Sequence, residues 1–66
     1  MKMTYDPQAD AAYIALVEGA VTESEEVAPG IVLDFDAAGR VLGIEVLNAS
    51  TTLAPGALDS LATAAE

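Results

Sequence analysis

The sequence contains no cysteine and no histidine. The fold therefore has no disulfide to stabilise it, and a structural zinc site lacks its usual ligands. The same absence removes the side chains that most often act as general bases and nucleophiles, because a hydroxyl such as that of Ser24 has no histidine to activate it. We expect a protein that is not an enzyme and that needs no cofactor.

Basic residues are almost as scarce, because Lys2 and Arg40 stand against eleven Asp and Glu residues and leave a formal net charge of −9. So few cations cannot replace the counterions of a nucleic acid backbone, and nucleic acid is excluded as a partner. The acidity favours either simple solubility or attraction to a small basic protein.

Long apolar runs are also missing from the chain. No segment approaches the length needed to cross a membrane, and the amino-terminal residues lack the apolar region of a signal peptide. We expect a cytoplasmic protein that does not bind membranes.

The chain has 66 residues, which is the size of one small domain covering residues 1–66. Such short chains bury only about 60% of the surface that their unfolded form exposes. Hydrophobic residues nevertheless make up 53% of the sequence, which favours a partner that covers apolar surface. With disulfides and zinc excluded, we expect a homodimer or higher oligomer.

The clearest local pattern lies in residues 31–47, where two apolar runs flank Asp36-Ala37-Ala38-Gly39. Aspartate at the first turn position and glycine at the fourth suit a β-hairpin with a type I turn closed by a left-handed residue. With Asp36 opposite Arg40, the predicted cross-strand pairs are Phe35 with Val41, Asp34 with Leu42, Leu33 with Gly43, Val32 with Ile44 and Ile31 with Glu45.

Both faces of this hairpin are then largely apolar, whereas a strand pair with one solvated face alternates apolar with polar residues. The hairpin therefore needs cover on both sides, from a helix on one face and from a second subunit on the other. The predicted oligomer interface consists of Val32, Leu42, Ile44 and Val46.

Three further strands are predicted at residues 2–5, 11–17 and 21–27. Asp6 begins a turn with Pro7, and Asp10 has a similar role at the end of that loop. Residues 28–30, with Pro29 and Gly30 in the middle positions, suit a type II turn. Residues 21–27 carry charges on both faces, which is typical of an edge strand.

After residue 47 the pattern changes to residues that prefer turns and helix starts. A helix is predicted from Pro55, with one apolar stripe formed by Leu58, Leu61, Ala62 and Ala65. Because neighbouring strands in sequence usually pair, the sequence predicts an α+β fold, a small antiparallel β-meander of about five strands with a C-terminal helix.

Turn and strand residues also give the chain a family resemblance over roughly residues 3–50. The matching segments are Tyr5-Asp6-Pro7, Ala9-Asp10-Ala11, Tyr13-Ile14, Ser24-Glu25-Glu26-Val27, Pro29-Gly30-Ile31, Asp34-Phe35-Asp36, Gly39-Arg40-Val41 and Gly43-Ile44-Glu45. The chain resembles domain of unknown function 2283, a bacterial family of short proteins. The resemblance implies a β-meander with a helix and no known activity. Some members are encoded beside a small toxin-like gene, which implies an antitoxin-like role.

Asp34 and Asp36 are the carboxylates that most resemble a chemical site, since they lie two positions apart on one strand face with Arg40 near them. The pattern suits a paired acid site or a hard-metal site, but a turn-capping Asp36 with a cross-strand ion pair is favoured. Gly43 lies inside a strand, where glycine indicates close approach of another group, either a ligand or one of the rings of Tyr5, Tyr13 and Phe35.

The remaining candidate is an acidic surface formed by Glu18, Glu23, Glu25 and Glu26. It is either a solvated edge or a site for a basic partner that adds a strand to the sheet. The sequence therefore favours a non-enzymatic protein-interaction module that binds a small basic protein. The alternative is a homo-oligomer that binds a small ligand or a metal at a subunit interface.

Overall fold

A computed structural model describes residues 1–59. Its elements are β1 (Lys2–Asp6), β2 (Ala11–Ala15), β3 (Glu23–Ala28), β4 (Ile31–Phe35), β5 (Val41–Leu47) and α1 (Ala49–Thr52). The strands form one antiparallel sheet that the short helix follows, which confirms the predicted α+β class. Of the helix predicted from Pro55, residues 57–59 are helical, whereas Leu61, Ala62 and Ala65 lie outside the described residues. Residues 1–59 contain no helix that is long and apolar enough to cross a membrane.

The strand order in the sheet is β1-β2-β5-β4-β3. The pairings of β1 with β2, β3 with β4 and β4 with β5 join neighbours in sequence, as predicted. At one place the order differs from the expected sequential pairing, because β2 pairs with β5 and not with β3. This arrangement puts the apolar β5 in the interior of the sheet and leaves the polar β3 at an edge, which confirms the predicted edge position.

Residues 16–22 connect β2 to β3 around the turn between β4 and β5. At the start of this connection Leu16 N–H donates to Leu42 O over 2.8 Å, and at its end Thr22 N–H donates to Phe35 O over 2.8 Å. Gly19 lies against the Leu42 side chain, where a Cβ would come within 2.9 Å of a Leu42 methyl carbon. The connection is therefore fixed at both ends.

The turn between β4 and β5 has the predicted geometry. Gly39 N–H donates to Asp36 O over 3.0 Å, and Gly39 has a φ of 80°. The Asp36 carboxylate accepts the N–H groups of Ala38 and Arg40, each over 2.9 Å. These backbone bonds, and not the expected ion pair between side chains, join Asp36 to Arg40 in the described structure.

The register beyond this turn differs from the prediction by one residue. Phe35 pairs with Val41 as expected, but the next pairs are Asp34 with Gly43, Leu33 with Ile44, Val32 with Glu45 and Ile31 with Val46. The shift occurs because β5 carries an extra residue, Leu42, in a β-bulge. The predicted pairs beyond Val41 are therefore wrong, since strands that are apolar on both faces give no pattern that would reveal an inserted residue.

The bulge also separates the residues of the predicted oligomer interface. Leu42 and Val46 are only 6% and 3% exposed in the single chain. Ile44 packs against the buried core, whereas Val32 shares the opposite face with Glu45. These four residues therefore do not form one open surface, and most of them belong to the interior.

The core lies between one face of the sheet and residues 49–58. Its buried members are Ala12, Val46 and Ala49, and the partly buried side chains packed against them are Met3, Tyr5, Ile31, Ile44, Leu53 and Leu58. Small residues at the centre let the short helix approach the sheet closely. The helical segment therefore covers the face that carries Val46.

The other two turns follow the predicted chemistry. Gln8 N–H donates to the Asp6 carboxylate over 3.0 Å, as expected of an aspartate that begins a turn. Gly30 has a φ of 80°, the value that the third residue of a type II turn requires.

Asp10 does more than end a loop, because it caps α1 from a distant part of the chain. Its carbonyl oxygen accepts Ala49 N–H over 2.8 Å. Its carboxylate accepts Ser50 N–H over 3.0 Å, the Ser50 hydroxyl over 2.6 Å and the Tyr5 hydroxyl over 2.7 Å. Asn48, which precedes the helix, makes no side-chain capping bond within the described residues. Asp10 therefore supplies the acceptor that the first turn of α1 lacks locally.

These hydrogen bonds favour the ionised form of Asp10. The Ser50 hydroxyl, followed by the Tyr5 hydroxyl, lowers the pKa of the Asp10 carboxyl below its ordinary value. The same bond to Asp10 raises the pKa of Tyr5, because the phenol is then held as a neutral donor. Folding stability is thus linked to the charge of Asp10.

We predict that Asp10→Asn lowers the urea midpoint of unfolding at neutral pH. Because folding lowers the pKa of Asp10, its contribution is complete above its ordinary pKa of about 4 and is lost as pH falls through the folded-state value. The difference between wild type and variant should therefore shrink on acidification. Glu18→Gln, which removes the charge of an exposed carboxylate, is the matched control and should leave the midpoint unchanged. An equal difference at neutral and acidic pH would contradict the linkage.

Candidate functional site

The two edges of the sheet differ in charge, and the acidic edge is β3. All six residues of β3 are exposed, and among the described strands β3 pairs with β4 alone. Glu25 lies opposite Leu33 and Glu26 opposite Val32, so the two glutamates project from opposite faces. Glu23 shares the face of Glu25 by strand alternation. The edge therefore presents carboxylates on both sides of an open strand.

An open edge strand leaves alternate backbone N–H and C=O groups without a strand partner. Such an edge can accept a strand from another protein, in which case the backbone supplies hydrogen bonds and the side chains select the partner. β3 also contains a bulge between Glu26 and Ala28. Because a bulge interrupts regular pairing, the segment open to strand addition is Glu23 to Glu26.

Glu18 lies apart from the other three glutamates of the predicted acidic surface. It belongs to the connection after β2 and lines an open hollow of about 210 Å³ together with Met1, Lys2, Ala15, Leu16 and Val17. This hollow adjoins β1, at the opposite edge of the sheet from β3. The acidic edge therefore consists of Glu23, Glu25 and Glu26.

The face opposite α1 contains a small polar cluster around Asp34. Asp34 is only 8% exposed, and its carboxylate accepts the Ser24 hydroxyl over 2.6 Å. The Tyr13 hydroxyl also contacts this carboxylate. In the part of the chain that the structure describes, every buried side-chain polar atom has a hydrogen-bond partner. The cluster is thus satisfied internally, and the Ser24 hydroxyl is held by a carboxylate.

Gly43 lies directly beneath the Tyr13 side chain in this cluster. A Cβ at position 43 would lie 2.7 Å from Cζ of Tyr13 and 3.0 Å from the Ile14 carbonyl oxygen. Burial, together with the charges of Asp34 and Glu45, raises the pKa of Tyr13 above its ordinary value. The close approach predicted at Gly43 is therefore made by Tyr13, and the protein fills the hollow itself.

Asp34 and Asp36 do not converge on a common point. Asp34 is bonded to Ser24, whereas Asp36 accepts the N–H groups of the turn residues Ala38 and Arg40. Residues 1–59 contain no group of three or more His, Cys, Asp or Glu side chains arranged to hold a metal ion. The turn-capping interpretation of Asp36 is confirmed.

Two contacts could not be found by reading the sequence. The Tyr13, Ser24 and Asp34 cluster depends on the shifted register of β4 and β5, which places Asp34 opposite Gly43, and on the pairing of Asp34 with Ser24 of β3. The bond from Ser50 to Asp10 spans 40 positions. Nothing in the sequence around Ser50 or around Asp10 indicates that these two residues meet.

The family comparison agrees with the resemblance noted from the sequence. The model of the family described as Protein of unknown function (DUF2283) matches residues 2–50. That range includes all five strands and the start of α1. Neither a curated protein nor a solved structure matches the chain.

We predict that Gly43→Ala destabilises the fold by about 1–3 kcal/mol, the usual effect of overpacking, because the added methyl displaces the Tyr13 ring. Urea unfolding measures the change. In a Tyr13→Ala background the same substitution should cost less, since the ring is gone and only the Ile14 carbonyl remains close. Equal costs in the two backgrounds would show that Tyr13 is not the obstacle.

We also predict that Asp34 and Asp36 bind neither Ca²⁺ nor Mg²⁺ tightly, because their oxygens face different partners and too few converge for either ion. Titration calorimetry with each ion should show no saturable heat. Asp36→Asn should weaken the hairpin turn and leave the titrations unchanged. Saturable binding that this substitution abolishes would overturn the structural assignment.

Proposed function

The chain belongs to the DUF2283 family of proteins of unknown function, and we propose that it is a non-enzymatic protein-interaction module that binds a small basic partner along β3. The partner adds an extended segment to the open edge, and its Lys and Arg side chains face Glu23, Glu25 and Glu26. An antitoxin-like pairing with a basic protein encoded nearby is the form of this role that the family resemblance implies.

The observation that carries the proposal is the position of the acidic strand. β3 is an edge strand whose six residues are all exposed, in a chain with a net charge of −9. The open backbone supplies hydrogen bonds to an added strand, and the charges speed encounter with a positive surface. The same charges repel an acidic strand, including the β3 of another copy, and so give selectivity.

The inventory of reactive groups supports a role without catalysis. The sequence has no His or Cys, and the Ser24 hydroxyl donates to Asp34 with no imidazole to accept its proton. Asp10, the carboxylate with the lowered pKa, is engaged in capping α1. The available chemistry is that of hydrogen bonding and charge.

A solvated edge that merely prevents aggregation would carry the same glutamates. The two roles differ in what charge reversal does. If the edge serves only to prevent aggregation, reversing one glutamate leaves binding of a basic partner unchanged. If the edge binds a basic partner, the reversal slows association and flattens its salt dependence.

We predict that Glu25→Lys weakens capture of the basic partner from an extract of the native host, whereas Glu18→Lys does not. The two substitutions change the net charge equally, but Glu25 lies on β3 and Glu18 lies near the opposite edge. Thermal stability should stay nearly constant in both variants, because exposed charges contribute little to folding. Capture is measured by affinity purification at several salt concentrations.

Cross-linking identifies the contact directly. A carbodiimide, which joins carboxylates to lysines without a spacer, should link residues 23–26 of this chain to the captured protein. Equal capture by both variants, or cross-links from Glu18 and none from β3, would remove the acidic edge as the binding site.

A further inference from the structure

The second edge of the sheet, β1, has a different pattern from β3. Among the described strands it pairs with β2 alone. Lys2 and Asp6 lie at its two ends, and its three middle residues are Met3, Thr4 and Tyr5. Because an edge strand is normally protected by charge, proline or a bulge, the uncharged middle of β1 is open to pairing. We propose that β1 pairs with β1 of a second copy, antiparallel and about a two-fold axis at Thr4.

The hydrogen bonds of the inner strands determine which backbone groups of β1 are free. Leu47 N–H donates to Gly30 O over 2.8 Å, so the odd-numbered residues of β5 bond to β4. Its even-numbered residues therefore bond to β2, in agreement with the bond from Leu16 N–H to Leu42 O over 2.8 Å. In β2 the backbone N–H and C=O groups of the even-numbered residues then point toward β5, and those of the odd-numbered residues point toward β1.

The register between β1 and β2 then determines the direction of the backbone groups in β1, the edge strand. Thr4 lies opposite Tyr13, an odd-numbered residue of β2, so the N–H and C=O of Thr4 point toward β2. Those of Met3 and Tyr5 point away from the sheet. A second β1 centred on Thr4 places Met3 opposite Tyr5 of the other copy. The outward N–H of each residue in such a pair then donates to the outward C=O of the other.

The side chains of β1 are complementary in the same register. Lys2 of each copy lies opposite Asp6 of the other, so each end of the paired strands carries an ion pair. Lys2 is exposed, and the turn uses Oδ1 of Asp6 through Gln8 N–H, which leaves Oδ2 for the lysine. On the other face Met3 meets the ring of Tyr5, a favourable contact of thioether with aromatic ring. Registers centred on Met3 or Tyr5 lose the ion pairs.

Pairing through β3 is disfavoured by comparison. An antiparallel pair of β3 strands brings glutamates of the two copies opposite each other, and like charges at such positions are destabilising. Pairing of β1 with β3 of another copy leaves an open edge at each end and would continue into a filament. The two-fold pairing of β1 is closed, and it leaves both acidic edges free.

Charge complementation between variants tests the register. Wild-type protein should dimerise with rising concentration in sedimentation equilibrium. Lys2→Glu and Asp6→Lys should each weaken self-association by about tenfold or more, because both ion pairs become repulsive. An equimolar mixture of the two variants should associate again, since every facing pair then has opposite charges. Arg40→Glu changes the net charge by the same amount as Lys2→Glu but lies outside β1, and this variant should dimerise like the wild type.

Amide hydrogen exchange in the wild type tests the pairing of β1 without a substitution at Asp6, which also forms the turn after β1. Protection of the Met3 and Tyr5 N–H groups should rise with protein concentration, and that of β3 should not. A chain that stays monomeric at all concentrations would overturn the proposal. A mixture that fails to associate, growth beyond the dimer, or concentration-dependent protection at β3 would do so as well.

Discussion

Pairing of β5 on both of its sides holds the fold together. With β2 on one side and β4 on the other, β5 brings Ile14, Ile44 and Leu33 into one row across the sheet. Ala12, Val46 and Ile31 form the next row on the same face, over which the segment from α1 to Leu58 packs. If β2 paired with β3 instead, a strand of exposed glutamates would occupy the interior of the sheet. The strand order is thus the one that buries apolar residues and leaves carboxylates in water.

An open sheet has two edges, and in this protein the two edge strands differ in their pattern of charged residues. β3 carries glutamates on both faces, which disfavours contact with another copy and favours contact with a basic strand. β1 carries one cation and one anion at opposite ends, a pattern that complements itself when the strand is reversed. The proposed partner and the proposed second copy therefore use separate edges and can bind at the same time.

The residues that carry the family resemblance have structural roles in this fold. Asp10 caps α1 and holds Tyr5, and Asp36 and Gly39 form the hairpin turn. Gly43 makes room for Tyr13. A family defined by such residues shares an architecture. This explains why belonging to the family does not by itself indicate a reaction or a ligand.

The sequence by itself determined the features that depend on a few adjacent residues. The turn at Asp36 to Gly39 and the aspartate turn at Asp6 follow from dihedral preferences and local hydrogen bonding. The polar edge strand follows from charged residues on both of its faces, which an interior strand would have to bury. Only the tertiary structure decided the bulge at Leu42, because an inserted residue shifts every later pair and a hairpin that is apolar on both faces is consistent with either register. It also decided the pairing of β2 with β5 and the bond from Ser50 to Asp10. These contacts join distant segments. They form because together they bury one apolar face and give the first N–H groups of α1, the helix over that face, their hydrogen-bond acceptors.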